Sequence, residues 1–95
     1  MTASIQPAEL GFFVALASCG SLSAAARDLG ITTAAVSKHL AQLEARLGLT
    51  LINRTTRRMS LTPEGEVFLE HARRILNDID DLDQLLTRAK GTPKG

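Results

Sequence analysis

The chain has no tryptophan, no tyrosine and only three phenylalanines among its 95 residues. Proteins that hold single-stranded nucleic acid without sequence preference stack bases on aromatic side chains, and those platforms are missing here. There is one cysteine, Cys19. It has no partner for an internal disulfide, suits a reducing cytoplasm, and reads as a small buried hydrophobe on the first helix. No apolar run approaches the roughly twenty residues that a membrane span needs. The N-terminus lacks a basic segment followed by an apolar block, so no secretory signal is expected.

The chemistry of an enzyme is also sparse. No glycine-rich phosphate loop and no nucleophile-elbow pattern occur. His39 and His71 show no metal-ligand spacing with each other or with Cys19. The expectation is a protein without cofactor, metal or catalytic residues, and a small helical domain offers little concavity for a substrate.

The net charge is only +1, but it is unevenly placed. Residues 21–62 carry six basic and two acidic side chains, whereas residues 63–95 carry five basic and seven acidic. A basic middle and an acidic end point to a local anionic partner.

The turn and cap residues divide the chain into helices. Pro7 suits the first position of a helix whose apolar face is Leu10, Phe13, Val14 and Ala17, running to about Ser18 and ended by Gly20. Ser21 caps a short second helix, about Ser23 to Leu29, with Ala25, Ala26 and Leu29 inward. Gly30 stops it. Thr32 then caps a third helix in which Val36, Leu40, Leu43 and Leu47 recur at helical spacing, until Gly48. Two helices joined by three or four residues have the spacing of a helix-turn-helix.

The opposite face of the third helix is unusually smooth. It presents Ala34, Lys38, Ala41 and Ala45, with Thr33, Ser37 and Gln42 beside them. A DNA major groove, about 12 Å wide, just admits an α-helix, and small side chains let the helix enter. Thr33, Ser37 and Lys38 at its N-terminal end can hydrogen-bond base edges. Next, Leu51-Ile52 and Met59-Ser60-Leu61 flank a polar tip with Arg54, Arg57 and Arg58 and no acid. The pattern predicts a small β-hairpin whose arginines reach the DNA backbone or minor groove.

Thr62-Pro63-Glu64 is a strong helix start, with a hydroxyl cap, proline at the first position and a carboxylate near the positive dipole end. Along the long helix that follows, Phe68, Ala72, Ile75, Ile79, Leu82, Leu86 and Ala89 are spaced alternately by four and three. That heptad seam predicts a homodimer. Leu69, Leu76 and Leu85 widen the stripe. Asp78, Asp80, Asp81 and Asp83 lie on different helix faces and read as a solvated flank. The predicted divisions are residues 1–62, 63–90 and a flexible tail, 91–95.

The run from Ser21 to Gly65 resembles the N-terminal domain of LysR-type transcriptional regulators. The resemblance is carried by Phe13, Ser21-x-Ser23-x-Ala25-Ala26, Leu29, Ser37, Leu43-Glu44-x-x-Leu47-Gly48, Leu51, Arg54, Arg57 and Leu61-Thr62-x-x-Gly65. It covers about residues 8–90. It implies a mainly α fold: a winged helix-turn-helix, three helices plus a short hairpin, followed by a long linker helix that pairs antiparallel with its copy. It implies that Thr33, Ala34, Ser37 and Lys38 face bases of double-stranded DNA. Ser23, Thr32, Arg54, Thr56, Arg57 and Arg58 would hold phosphate or enter the minor groove. Such regulators are cytoplasmic and sense a small co-inducer through a two-lobed domain after the linker helix. No such domain is in this chain, and the ending Gly91-Thr92-Pro93-Lys94-Gly95 reads as a cut in the linker. Thr33-Ala34 stands where the family usually has Gln-Pro, Lys38 where it has Arg, and Ile52 where it has Phe. Lysine cannot make the arginine fork, so base preference is expected to differ. The alternatives to a sequence-specific regulator are a coiled-coil interaction module and a non-specific architectural DNA binder.

Overall fold

A computed structural model of the chain describes residues 5–54 and 59–90. Its elements are α1 (Pro7–Cys19), α2 (Leu22–Leu29), α3 (Thr33–Leu47), β1 (Ile52–Asn53), β2 (Ser60–Leu61) and α4 (Pro63–Ala89). The capping residues account for the boundaries. Ser21 Oγ accepts from Ala24 N at 3.1 Å, Thr32 Oγ1 from Ala35 N at 3.0 Å, and Thr62 Oγ1 from Gly65 N at 2.9 Å. Each satisfies an amide that the first helical turn leaves without a partner. At the other end of α2, Gly30 has φ +72 and Ile31 N donates to the Ala26 carbonyl at 3.0 Å. That left-handed residue lets the chain reverse into α3 within three residues.

Phe13 and Leu16 of α1, Ala25 and Ala26 of α2, and Val36, Leu40 and Leu43 of α3 converge with Leu51 and Ile52 in one buried cluster. The hairpin is antiparallel, pairing Ile52 with Leu61 and Asn53 with Ser60. Each strand has two residues; the first begins at Ile52, one residue after Leu51, and both of these side chains are buried in the core.

The first third of α4 completes this core. Phe68 meets Phe13 edge-on with ring centroids 4.9 Å apart, and Leu69 packs beside it. Ala72 is 1% exposed. Phe68 and Ala72 were expected on the dimer seam, and here they face their own domain instead. The reason is that the heptad face of α4 lies against α1 for its first turns and leaves the domain only afterwards. From Ile75 the same face is open: Ile75, Ile79, Leu82, Leu85 and Leu86 are 44–60% exposed. The protruding helix raises the radius of gyration to 15.5 Å, against about 12 Å for a compact domain of this length. Among the described residues, no helix is long and apolar enough to cross a membrane.

Candidate nucleic-acid interface

The structure gives α3 two unlike faces. Val36, Leu40 and Leu43 are buried against α1 and α2, while Thr33, Ala34, Lys38, Ala41 and Ala45 are exposed. Ser37 lies between them, half-buried. The exposed N-terminal end therefore presents two small residues, a hydroxyl and one cation. Thr32 closes that end by capping it, so its oxygen is engaged within the helix. Ser23 is exposed on the first turn of α2.

The wing is tied to α3 by one carboxylate. Glu44 Oε2 accepts from Leu51 N at 2.7 Å and from Ile52 N at 3.2 Å. These amides open the hairpin, and a half-buried carboxylate is a strong acceptor for them. Glu44 Oε1 stands 3.6 Å from Arg54 Nη2. Arg54 Nη1 in turn donates to Ser37 Oγ at 2.9 Å. Ser37, Glu44 and Arg54 thus form one cluster joining α3 to the hairpin. Sequence spacing treated Ser37 and Arg54 as separate contacts, one for bases and one for backbone; the fold brings them together. Thr56, Arg57 and Arg58 lie outside the described residues.

The other side of the wing is fixed to α4. Thr62 N donates to the Leu51 carbonyl at 3.0 Å, and Thr62 Oγ1 donates to the Thr50 carbonyl at 2.6 Å. Gly65 lies so close that a Cβ there would meet the Leu51 carbonyl oxygen at 2.1 Å. The positioning residues that sequence reading did not identify are therefore Glu44 and Gly65. Both stand in the motif that carried the family resemblance, but their contacts are not written in local spacing.

His39 turns its ring toward α1 and meets Phe12 edge-on at 5.9 Å. Arg46 pairs with Glu9 across the α3–α1 contact. Among the described residues, no three His, Cys, Asp or Glu side chains are grouped to hold a metal.

A helix-turn-helix whose second helix is exposed at its N-terminal end, braced by a hairpin, defines the class of winged helix-turn-helix domains. Residues 7–66 match the family model described as bacterial regulatory helix-turn-helix protein, lysR family, and the chain belongs to that family. It is similar to an uncharacterised HTH-type transcriptional regulator of Mycobacterium tuberculosis, with 51% identity over 71 residues covering 75% of this chain and 23% of that protein. It is 39% identical over 87 residues to the HTH-type transcriptional regulator DmlR of Escherichia coli, covering 92% of this chain and 28% of that one. The chain thus spans about a quarter of the length of these relatives. Among solved structures, the BenM DNA-binding domain in complex with benA site 1 DNA matches with TM-score 0.85 and 30% identity, covering 90% of this chain and 97% of that one. The CbnR DNA-binding domain in complex with DNA matches with TM-score 0.77 and 34% identity, covering 92% and 99%.

Proposed function

We propose that this chain is the DNA-reading part of a LysR-type transcriptional regulator, and that it binds duplex DNA sequence-specifically as a homodimer. The observation that carries the reading is the exposed, small-residue N-terminal half of α3, braced by a hairpin. Its shape and side chains suit insertion into a major groove. Thr33, Ala34, Ser37 and Lys38 face bases. Ser23, Thr32, Thr56, Arg57 and Arg58 serve the backbone or minor groove, while Arg54, first expected among them, is engaged with Ser37 and Glu44. Residues 1–62 form the reading unit, 63–90 the linker helix and 91–95 a tail toward an effector domain that takes the co-inducer. The pairing surface is Ile75, Ile79, Leu82, Leu86 and Ala89, without Phe68 and Ala72. The protein acts in the cytoplasm and has no enzymatic role.

Selection from a randomised duplex library at two salt concentrations tests this. The expected result is an interrupted inverted repeat with half-sites about one helical turn apart, and affinity that falls steeply with salt. Tight binding without an enriched sequence would leave an architectural binder. No retention at low salt would point instead to a coiled-coil module with a protein partner.

A further inference from the structure

Ser37 is the one base-facing residue whose hydroxyl is already in use. A serine hydroxyl has one proton to donate and two lone pairs to accept with, so it ordinarily reads donors and acceptors alike. A guanidinium has donors only. The 2.9 Å contact from Arg54 Nη1 therefore fixes Ser37 Oγ as the acceptor in that pair. The adjacent cation polarises the hydroxyl, strengthening its remaining O–H as a donor and weakening the second lone pair toward another N–H. Arg54 is itself held, because its Nη2 faces the Glu44 carboxylate whose other oxygen binds the Leu51 and Ile52 amides. No hydrogen bond from Ser37 to the helix backbone competes for the proton among the described residues.

We propose that Arg54 is a specificity-determining residue that acts through Ser37, setting it as a hydrogen-bond donor that accepts purine or thymine and rejects cytosine at the base it faces. The chemistry of the major groove makes the consequence definite. Guanine offers N7 and O6, adenine N7, and thymine O4, whereas cytosine offers only its N4 amine. With one lone pair taken by Arg54 and the other weakened, Ser37 meets that amine as a poor acceptor, and its own O–H faces it donor to donor. Glu44 is a positioning residue one step further back, keeping the guanidinium on Ser37. The proposal rests on the DNA-reading function above and deepens it.

The test repeats the library selection with the wild-type chain and with Ser37→Ala, Arg54→Met and Arg54→Lys. Ser37→Ala locates the base that Ser37 reads, as the position whose preference disappears. There the wild-type chain is expected to deplete cytosine about tenfold, as one mismatched polar contact allows. In Arg54→Met the hydroxyl is free to rotate and accept from the amine, and cytosine returns to within about twofold of the preferred base. Arg54→Lys supplies another cationic donor and keeps most of the discrimination, which a purely structural role for Arg54 does not predict. Three results overturn the proposal: cytosine enriched at that position by the wild type, no position altered by Ser37→Ala, or Arg54→Met weakening all sequences equally with the profile unchanged. Each leaves sequence-specific binding standing. A wild-type chain that enriches no sequence overturns the DNA-reading function itself.

Discussion

Two glycines inside helices make opposite predictions for the same substitution. Gly11 lies within α1, and a Cβ built there meets nothing within 4 Å. Gly65 lies in the first turn of α4, where the Cβ would sit 2.1 Å from the Leu51 carbonyl oxygen and 3.0 Å from its carbon. Alanine in an open helical site is favoured over glycine by about 0.8–1.0 kcal/mol. Gly11→Ala should therefore stabilise the fold by up to about 1 kcal/mol. Gly65→Ala gains the same helix term but forces wing and helix apart by about 1 Å, an overpacking that costs about 1–3 kcal/mol or somewhat more. The separation also strains the Thr62 N to Leu51 carbonyl bond and the Gly65 N to Thr62 Oγ1 bond, each worth about 1 kcal/mol. The net expectation is a loss of about 3 kcal/mol, a large part of the roughly 5–15 kcal/mol that holds a small domain together. Urea unfolding followed by helical circular dichroism, with all chains at one concentration because association shifts apparent stability, reads both changes. A Gly65→Ala chain as stable as Gly11→Ala would refute the close approach of α4 to the hairpin.

Substitutions at three further positions probe other parts of the structure. Thr62→Ala removes the α4 cap and the bond to the Thr50 carbonyl, and should cost about 2 kcal/mol in the same unfolding assay, with Thr62→Ser recovering most of it. Glu44→Ala leaves the Leu51 and Ile52 amides without their carboxylate, for a loss of about 2–3 kcal/mol; Glu44→Gln, which keeps one acceptor oxygen, should fall between. Leu82→Asp leaves the folded chain unharmed, since the side chain is 56% exposed, but places a carboxylate in the pairing seam. Sedimentation should show monomer, with association weakened about a hundredfold or more, and a variant still dimeric at micromolar concentration would refute the seam.

The helices were legible because their ends carry local chemistry. Pro7 and Gly20, Ser21 and Gly30, Thr32 and Gly48, and Thr62-Pro63 each act within one turn of the boundary they set, and the observed limits follow them closely. The smooth face of α3 was legible for the same reason, since helical spacing alone places Ala34, Lys38, Ala41 and Ala45 opposite Val36 and Leu40. What stayed hidden depends on contacts between segments. Ser37 and Arg54 are seventeen residues apart, and nothing in either neighbourhood announces their bond. Glu44 looks like one more charge on a helix flank until the chain turns at Gly48 and brings the Leu51 and Ile52 amides onto it. Gly65 reads locally as a weak helix residue, although its lack of a side chain is what admits the Leu51 carbonyl. Phe68 and Ala72 fit the heptad as well as Ile79 does, because periodicity says which face is apolar and leaves open whether the same chain or another covers it.

That division along α4 has a mechanical consequence for the proposed dimer. Its first turns are rooted in the helix-turn-helix and hairpin by Phe68 against Phe13, by Thr62 on the Thr50 and Leu51 carbonyls, and by Gly65 on Leu51. The free stretch from Ile75 continues as the same unbroken helix. Pairing through Ile75, Ile79, Leu82 and Leu86 therefore positions each α3 through one continuous helix, with no intervening loop to absorb a change in spacing. The separation of half-sites becomes a property of where on α4 the two chains meet. Glu44 carries the constraint one step further, since it joins the hairpin rooted on α4 to α3, the proposed base-contacting helix.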